Sequence, residues 1–299
     1  MVKHFLDIAD FTSAQLKSMI VDAKAIKANP DDFDQVLKGK KIAMIFEKPS
    51  TRTRISFEVG IIELGGTPIV LNSKDMQIGH GETIADTAKV LSRFVDAIMI
   101  RANSHEMVLE LAKNATIPVI NALTDRSHPC QIMADILCYE EHRGTLEGKN
   151  IAWFGDGNNV TASWIEAAPK FGFNLTIVSP EELDPNAEIL QKAIADGGNI
   201  TIERDPRKAA KNADCIVTDC WVSMGDKDAE NRHNLLAPYQ VNQEVMKLAK
   251  PDSIFMHCLP AHRNEEVTPE VIDGPQSVVF DEAENRLHAQ KAILKYLFD

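Results

Sequence analysis

Residues 41–66 read KIAMIFEKPSTRTRISFEVGIIELGG, and this stretch decides the fold. The run 41–46 is apolar after Lys41, too short for a helix, and ends at Glu47-Lys48-Pro49, which makes it a buried strand. The hydroxyl- and arginine-rich turn Ser50-Thr51-Arg52-Thr53-Arg54 leads into a helix expected over 55–64, and Gly65-Gly66 closes it. A strand feeding a helix through a short turn is half of a βαβ unit, whose strands run parallel.

The same alternation extends on both sides. Upstream, Thr12 and Gln15 form a capping box ahead of Leu16, Met19, Ile20, Ala23 and Ile26 at helical spacing, and Asn29-Pro30 stops that helix. Downstream, strands are expected at 67–71, 97–100 and 119–121. The pattern restarts at 150–154, 174–178, 199–202, 215–218, 253–256 and 278–280. A helical segment over 131–142 lies between the two series, and another closes the chain from 285. The expected architecture is α/β: two doubly wound parallel-sheet domains joined by helices, with the active site in the interdomain cleft. The boundaries are 1–142 and 143–284, with a C-terminal helix over 285–299 packing back on the first domain.

Composition agrees and narrows the chemistry. The 299 residues are 44% hydrophobic and 25% charged, an ordinary globular composition. A length of this order predicts two cores rather than one. With 32 Lys+Arg against 44 Asp+Glu, the formal charge of −12 argues against nucleic acid and anionic membrane as partners, so an anionic ligand must be captured by local groups. Five cysteines without a CxxC pair suit a reducing cytoplasm better than a disulfide framework. Asp7 and Asp10 interrupt the stretch where a signal peptide needs apolar residues, and no apolar run is long enough to span a bilayer.

Ligands of open α/β sheets collect at the carboxyl ends of strands. The turn 50–54 offers backbone N–H groups, three hydroxyls and a guanidinium at a helix start, a site for a phosphate dianion. The less favoured reading is a capped helix with surface arginines. Arg52 and Arg54 diverge by about 200° on a helix, so one of them faces the ligand. Arg101 ends a strand, and His128-Pro129-Cys130-Gln131 joins a strand to a helix; these could neutralise an anion and polarise a carbonyl, or be a solvated rim and a structural histidine. Gly155-Asp156-Gly157-Asn158-Asn159-Val160 approaches a dinucleotide fingerprint but has Val160 where the third glycine belongs; Asn159 could instead touch a small zwitterion. Asp219 offers a carboxylate for an ammonium group, or an Asx turn, and the loop after it could close as a lid. Cys258 beside His257 could be a nucleophile, a zinc ligand together with His128, Cys130 and either His257 or His262, or a soft hydrogen-bonding group. The spacing of a structural zinc module is missing, and no metal is expected.

Taken in order, Ser-Thr-Arg-Thr-Arg at 50–54, His-Pro-Cys-Gln at 128–131, Asp219 with Ser-Met-Gly at 223–225, and His-Cys-Leu-Pro at 257–260 resemble the ornithine branch of the aspartate/ornithine carbamoyltransferase family. The resemblance runs from about residue 40 to Lys291 without departure at these motifs. It implies transfer of a carbamoyl group from carbamoyl phosphate to the δ-amine of L-ornithine, with no cofactor, in cytoplasmic arginine biosynthesis. Carried onto matching positions, Ser50, Thr51, Arg52, Thr53, Gln77, Arg101, His128, Pro129, Cys130, Gln131, Cys258, Leu259 and Arg286 would bind carbamoyl phosphate. Asn159, Asp219, Ser223 and Met224 would bind ornithine, and Arg101, His128 and Cys258 would be catalytic. Arg54 becomes a structural arginine. The polar stretch 74–82 around Gln77 would reach into a neighbouring subunit, which implies a homotrimer with shared sites. Rival readings are a carbamoyltransferase for putrescine or N-acetylornithine, a nucleotide-dependent oxidoreductase, and a non-catalytic phosphate sensor.

Overall fold

The computed structural model describes residues 2–72, 76, 81–222 and 228–299. The chain forms two compact units: unit 1 is Met1–Leu137 with Glu284–Asp299, and unit 2 is Cys138–Ala283.

Unit 1 opens with α1 (Ser13–Ala28), where Thr12 accepts from the Gln15 amide while the Gln15 side chain accepts from the Thr12 amide, the reciprocal cap read from the sequence. Its parallel sheet comprises β1 (Lys41–Phe46), β2 (Thr67–Asn72), β3 (Ala97–Arg101) and β4 (Val119–Leu123) in the order β2-β1-β3-β4. The helices between them are α2 (Thr51–Glu63), α3 (Ile84–Phe94) and α4 (His105–Asn114), and α5 (Pro129–Arg143) follows β4. β1 and β3 are buried on both faces, as parallel strands covered by helices must be. The core packs Ala43 and Ile45 of β1 with Ile98 and Ile100 of β3 and Val108 and Leu111 of α4.

Unit 2 repeats the plan with β5 (Asn150–Phe154), β6 (Asn174–Val178), β7 (Asn199–Glu203), β8 (Cys215–Thr218) and β9 (Ile254–His257), in the order β7-β6-β5-β8-β9. All four pairings are parallel. Its helices are α6 (Asn159–Phe171), α7 (Ala187–Ala195), α8 (Pro206–Ala210), α9 (Ala229–Leu236), α10 (Gln243–Met246) and α11 (Pro269–Ile272), before α12 (Val279–Phe298) returns the chain to unit 1. Among the described residues no helix is long and apolar enough to cross a membrane.

Two elements differ from expectation. Residues 278–280, expected as a strand, form none: Val279 and Phe280 open α12 instead. The chain touches β9 only briefly: the Phe255 amide donates to Gln276, and the Val278 amide donates to Phe255. Val279 then turns into the unit 2 core, and Asp281 and Glu282 suit the positive end of a helix. The second difference is α2, which begins at Thr51 rather than 55 because the Ser50 hydroxyl accepts from the Thr53 amide at 3.3 Å and caps the helix there. The hydroxyl and arginine turn is therefore helical, and its side chains are held in register.

α12 approaches α2 closely at Gly60, where a Cβ would lie 3.1 Å from Cγ of Lys291. The buried Lys291 ammonium donates to Glu63 at 2.6 Å from the same face. This contact sets the height of α12 along α2, and with it the place of Arg286.

Candidate active site

In each sheet the strand order reverses once, between β1 and β3 in unit 1 and between β5 and β8 in unit 2. At such a switch point the connections leave the sheet in opposite directions and open a crevice at the carboxyl ends of the strands. Among the described residues, Ser50 to Thr53 and Arg101 sit at the first of these places, and Asn159 and Asp219 at the second.

In unit 1, Ser50 to Thr53 follow β1, and Arg101 ends β3 opposite Phe46. Thr53, 1% exposed, is the centre: its hydroxyl oxygen accepts from Arg101 Nη1 at 3.2 Å and from Arg286 Nη2 at 2.6 Å. Both lone pairs are then occupied, so the hydroxyl proton is directed to a third acceptor, such as a phosphate oxygen. Arg286 Nη1 donates to Gln131 Oε1 at 2.7 Å, and Gln131 Nε2 donates to Asp135 Oδ1 at 2.7 Å. His128, buried just ahead of α5, is held well below the usual imidazole range by burial and then by the Arg286 and Arg101 guanidinium groups. At neutral pH it is an uncharged hydrogen-bonding group. Two guanidinium groups and a neutral imidazole make a site for an anion with an attached carbonyl.

The other predicted residues of unit 1 take different positions. Arg52 is half-buried, while Arg54 is exposed and pairs with Glu58 at 3.4 Å, one turn along α2, which is the divergence expected of the two. Thr51 is exposed, and Pro129 is buried as the first residue of α5. The Cys130 thiol points to the Asn121 carbonyl at 3.3 Å, and burial pushes its pKa up to about 12. Gln77 lies outside the described residues.

Unit 2 gathers Asn158 and Asn159 after β5, Asp219 after β8 and Cys258 after β9, three adjacent parallel strands. Asp219 accepts from Cys258 Sγ at 3.1 Å, from the Cys220 amide at 2.8 Å and from Asn158 Nδ2 at 2.9 Å. Burial and the Asp219, Glu282 and Cys220 charges raise the Cys258 thiol well above its ordinary value. It is a protonated donor at neutral pH, not a thiolate nucleophile. His257 is turned into the interior: its Nδ1 accepts from the Leu259 amide at 2.9 Å, so its Nε2 carries the proton it gives to Glu266 at 3.1 Å. Glu282 takes the His257 amide, and Glu266 takes the His262 amide. Two buried carboxylates thus pin the loop on which Cys258 and Leu259 ride, with Leu259 at φ +57°. Asp219, His257 and Cys258 come close enough to suggest a metal cluster, but both ring nitrogens of His257 are engaged. Ser223 and Met224 lie outside the described residues.

The glycine-rich turn has an internal explanation. A Cβ on Gly157 would come within 2.3 Å of the Pro185 backbone, so glycine is required by the chain's own packing and not by a pyrophosphate. Sequence reasoning missed Asn158, which caps α6 through the Val160 and Thr161 amides while binding Asp219. It also missed Asp135, though four-residue spacing from Gln131 on a helix was a readable signal.

Comparison with known proteins follows the same division. Residues 3–141 match the model described as aspartate/ornithine carbamoyltransferase, carbamoyl-P binding domain, and residues 147–297 match the model of the Asp/Orn binding domain. A protein of Bradyrhizobium diazoefficiens named ornithine carbamoyltransferase is 61% identical over 299 residues, covering 99% of this chain and 97% of its own. The solved ornithine carbamoyltransferase of Pyrococcus furiosus superposes with a TM-score of 0.93 at 49% identity, covering 98% of this chain and 96% of its own. That of Thermus thermophilus gives 0.91 at 41% identity, over 100% of both chains.

Proposed function

The chain belongs to the aspartate/ornithine carbamoyltransferase family, and from that premise we propose that it transfers the carbamoyl group of carbamoyl phosphate to the δ-amine of L-ornithine, giving L-citrulline and phosphate. The observation that carries the reading is the convergence of two guanidinium groups, half-buried Arg101 and buried Arg286, on the Thr53 hydroxyl at the carboxyl edge of the sheet, a cationic centre suited to an anionic substrate. Identity of about 60% to curated relatives bearing the ornithine name favours ornithine over putrescine or N-acetylornithine.

Ser50, Thr51, Arg52, Thr53 and Arg101 hold the phosphate; Thr53, Arg101, His128 and Gln131 surround the carbamoyl group, with Cys258, Leu259 and Arg286 completing its contacts. Gln77 is given to a neighbouring subunit's site. Asn159, Asp219, Ser223 and Met224 bind the amino and carboxylate groups of ornithine. The neutral δ-amine attacks the carbonyl carbon, a C–N bond forms, and the oxyanion is stabilised by Arg101 and His128. The C–O bond to phosphate then breaks, and the departing phosphate takes the amine proton. An alkyl amine of pKa near 10.4 is neutral in only about one molecule in 2,500 at pH 7, so the site must favour that form. Cys258, as a thiol, orients the amino acid without forming a covalent intermediate. A citrulline assay with carbamoyl phosphate against ornithine, putrescine, N-acetylornithine and aspartate tests the reading; turnover preferring any acceptor but ornithine would end it.

The reaction serves arginine synthesis, and five free cysteines support a reducing, cytoplasmic setting. A homotrimer is the expected assembly. Its support is that β2 is an edge strand, and that Ile55 and Ile62 on α2 and Val90 and Phe94 on α3 are large exposed apolar side chains, Phe94 at 70%. Sedimentation is expected to give three chains per particle, and Phe94→Asp is expected to shift it toward monomer.

A further inference from the structure

Four buried side chains of unit 1 form a hydrogen-bond chain whose direction has one solution. Asp135 accepts from Gln131 Nε2, Gln131 Oε1 accepts from Arg286 Nη1, and Arg286 Nη2 donates to Thr53 Oγ1. A guanidinium only donates, so the amide atom that faces Arg286 is the carbonyl oxygen, which leaves the NH2 group to the Asp135 carboxyl oxygen. Gln131 is locked with its NH2 toward Asp135 and its carbonyl toward Arg286. Asp135, 1% exposed, lies one turn beyond Gln131 on α5 and is not among the groups assigned to either substrate.

We propose that Asp135 is a specificity-determining positioning residue: by holding the Gln131 amide in this orientation it makes the site present a carbonyl, and so selects an acyl phosphate whose acyl carbon bears NH2 over one bearing CH3. The inference rests on the reading of Gln131 as a carbamoyl-phosphate contact. A carbonyl oxygen has two acceptor positions, so a bond from Arg286 is compatible with one from a carbamoyl N–H. A methyl group supplies no donor, and a site arranged to bond a substrate N–H rejects the analogue that lacks it. If the amide were turned, its N–H groups would face the guanidinium and the ligand's own N–H, and the preference would vanish.

The test is calorimetric titration of the full chain with carbamoyl phosphate, acetyl phosphate and inorganic phosphate. The unmodified protein is expected to bind carbamoyl phosphate at least about tenfold more tightly than acetyl phosphate. Asp135→Asn, which donates as well as accepts, removes one of the two constraints on the amide and leaves the one from Arg286; it is expected to narrow that ratio about threefold, and Asp135→Ala about tenfold, with inorganic phosphate binding within about twofold throughout. Asn is nearly isosteric with Asp, so that variant decides the matter if the alanine variant does not fold. An unchanged ratio overturns the proposal, as does equal weakening of all three ligands, which would mark a merely structural role. If the unmodified protein binds both acyl phosphates equally, Asp135 has no selective role while the carbamoyl-phosphate site stands. If it binds neither, the functional reading falls and this inference with it.

Discussion

At the carboxyl edge of the unit 1 sheet the side chains on Thr53 are Arg101 and Arg286, whereas at the carboxyl edge of the unit 2 sheet the strand ends carry Asp219, Cys258 and the Asn158 amide. The backbone plan is the same: parallel strands, one reversal of order, helix starts at the carboxyl edge. The field is opposite. In unit 1 burial and positive charge drive His128 toward its neutral form, and in unit 2 burial and negative charge drive Cys258 toward its protonated form. A doubly wound sheet supplies the crevice; two or three side chains at its edge choose which ligand charge it accepts.

The largest expected effect comes from removing the cationic side of this contrast. Arg101→Ala is expected to lower kcat/KM for citrulline formation at least about 10³-fold, and Arg101→Lys to recover little of it, because a point charge cannot reproduce a planar fork. Steady-state kinetics at varied carbamoyl phosphate measures both. A smaller effect follows on the anionic side: Asp219→Asn is expected to lower kcat/KM for ornithine about 10²-fold while leaving carbamoyl phosphate affinity within about twofold. Parallel loss of both affinities would break the division of labour between the units.

The same variant sharpens the comparison chemically. Cys258 in the unmodified protein is expected to react with iodoacetamide at pH 8 far more slowly than a simple thiol, and Asp219→Asn, which removes one of the charges raising its pKa, is expected to speed the reaction several-fold. Mass spectrometry of the peptide holding Cys258 gives the rate. The smallest effect is on stability. The folded-state pKa of His128 lies below its unfolded value near 6.5, so folding excludes a proton that the unfolded chain takes up as pH falls through that value. The contribution of His128 is complete above pH 7 and is lost progressively below pH 6.5. His128→Gln is expected to flatten the fall in Tm between pH 7 and 5, measured by calorimetry. His4 and His288, also lowered by burial, leave a residual slope.

Most strands were legible because a strand buried on both faces is a short unbroken apolar run, and 41–46, 150–154 and 215–218 are such runs bounded by polar turns. The reading failed at 278–280 because a three-residue apolar run has no periodicity of its own, and the first turn of a helix packed into a core looks the same. The start of α2 moved to Thr51 because one hydroxyl cap outweighed the apolar pattern on which the expectation rested.

By itself the sequence determined the alternation of strands and helices, the strand ends where polar residues gather, and through its ordered motifs the family. Those properties are local: apolar runs, caps and turns act over a few residues. Only the tertiary structure decided that Arg286 reaches Thr53, although 233 positions separate them, and that Asp219 meets Asn158 and Cys258 across adjacent strands. Strand order, together with the close approach of α12 to α2 at Gly60, brings these groups together, and neither is written in local periodicity because both follow from which faces must be buried against each other.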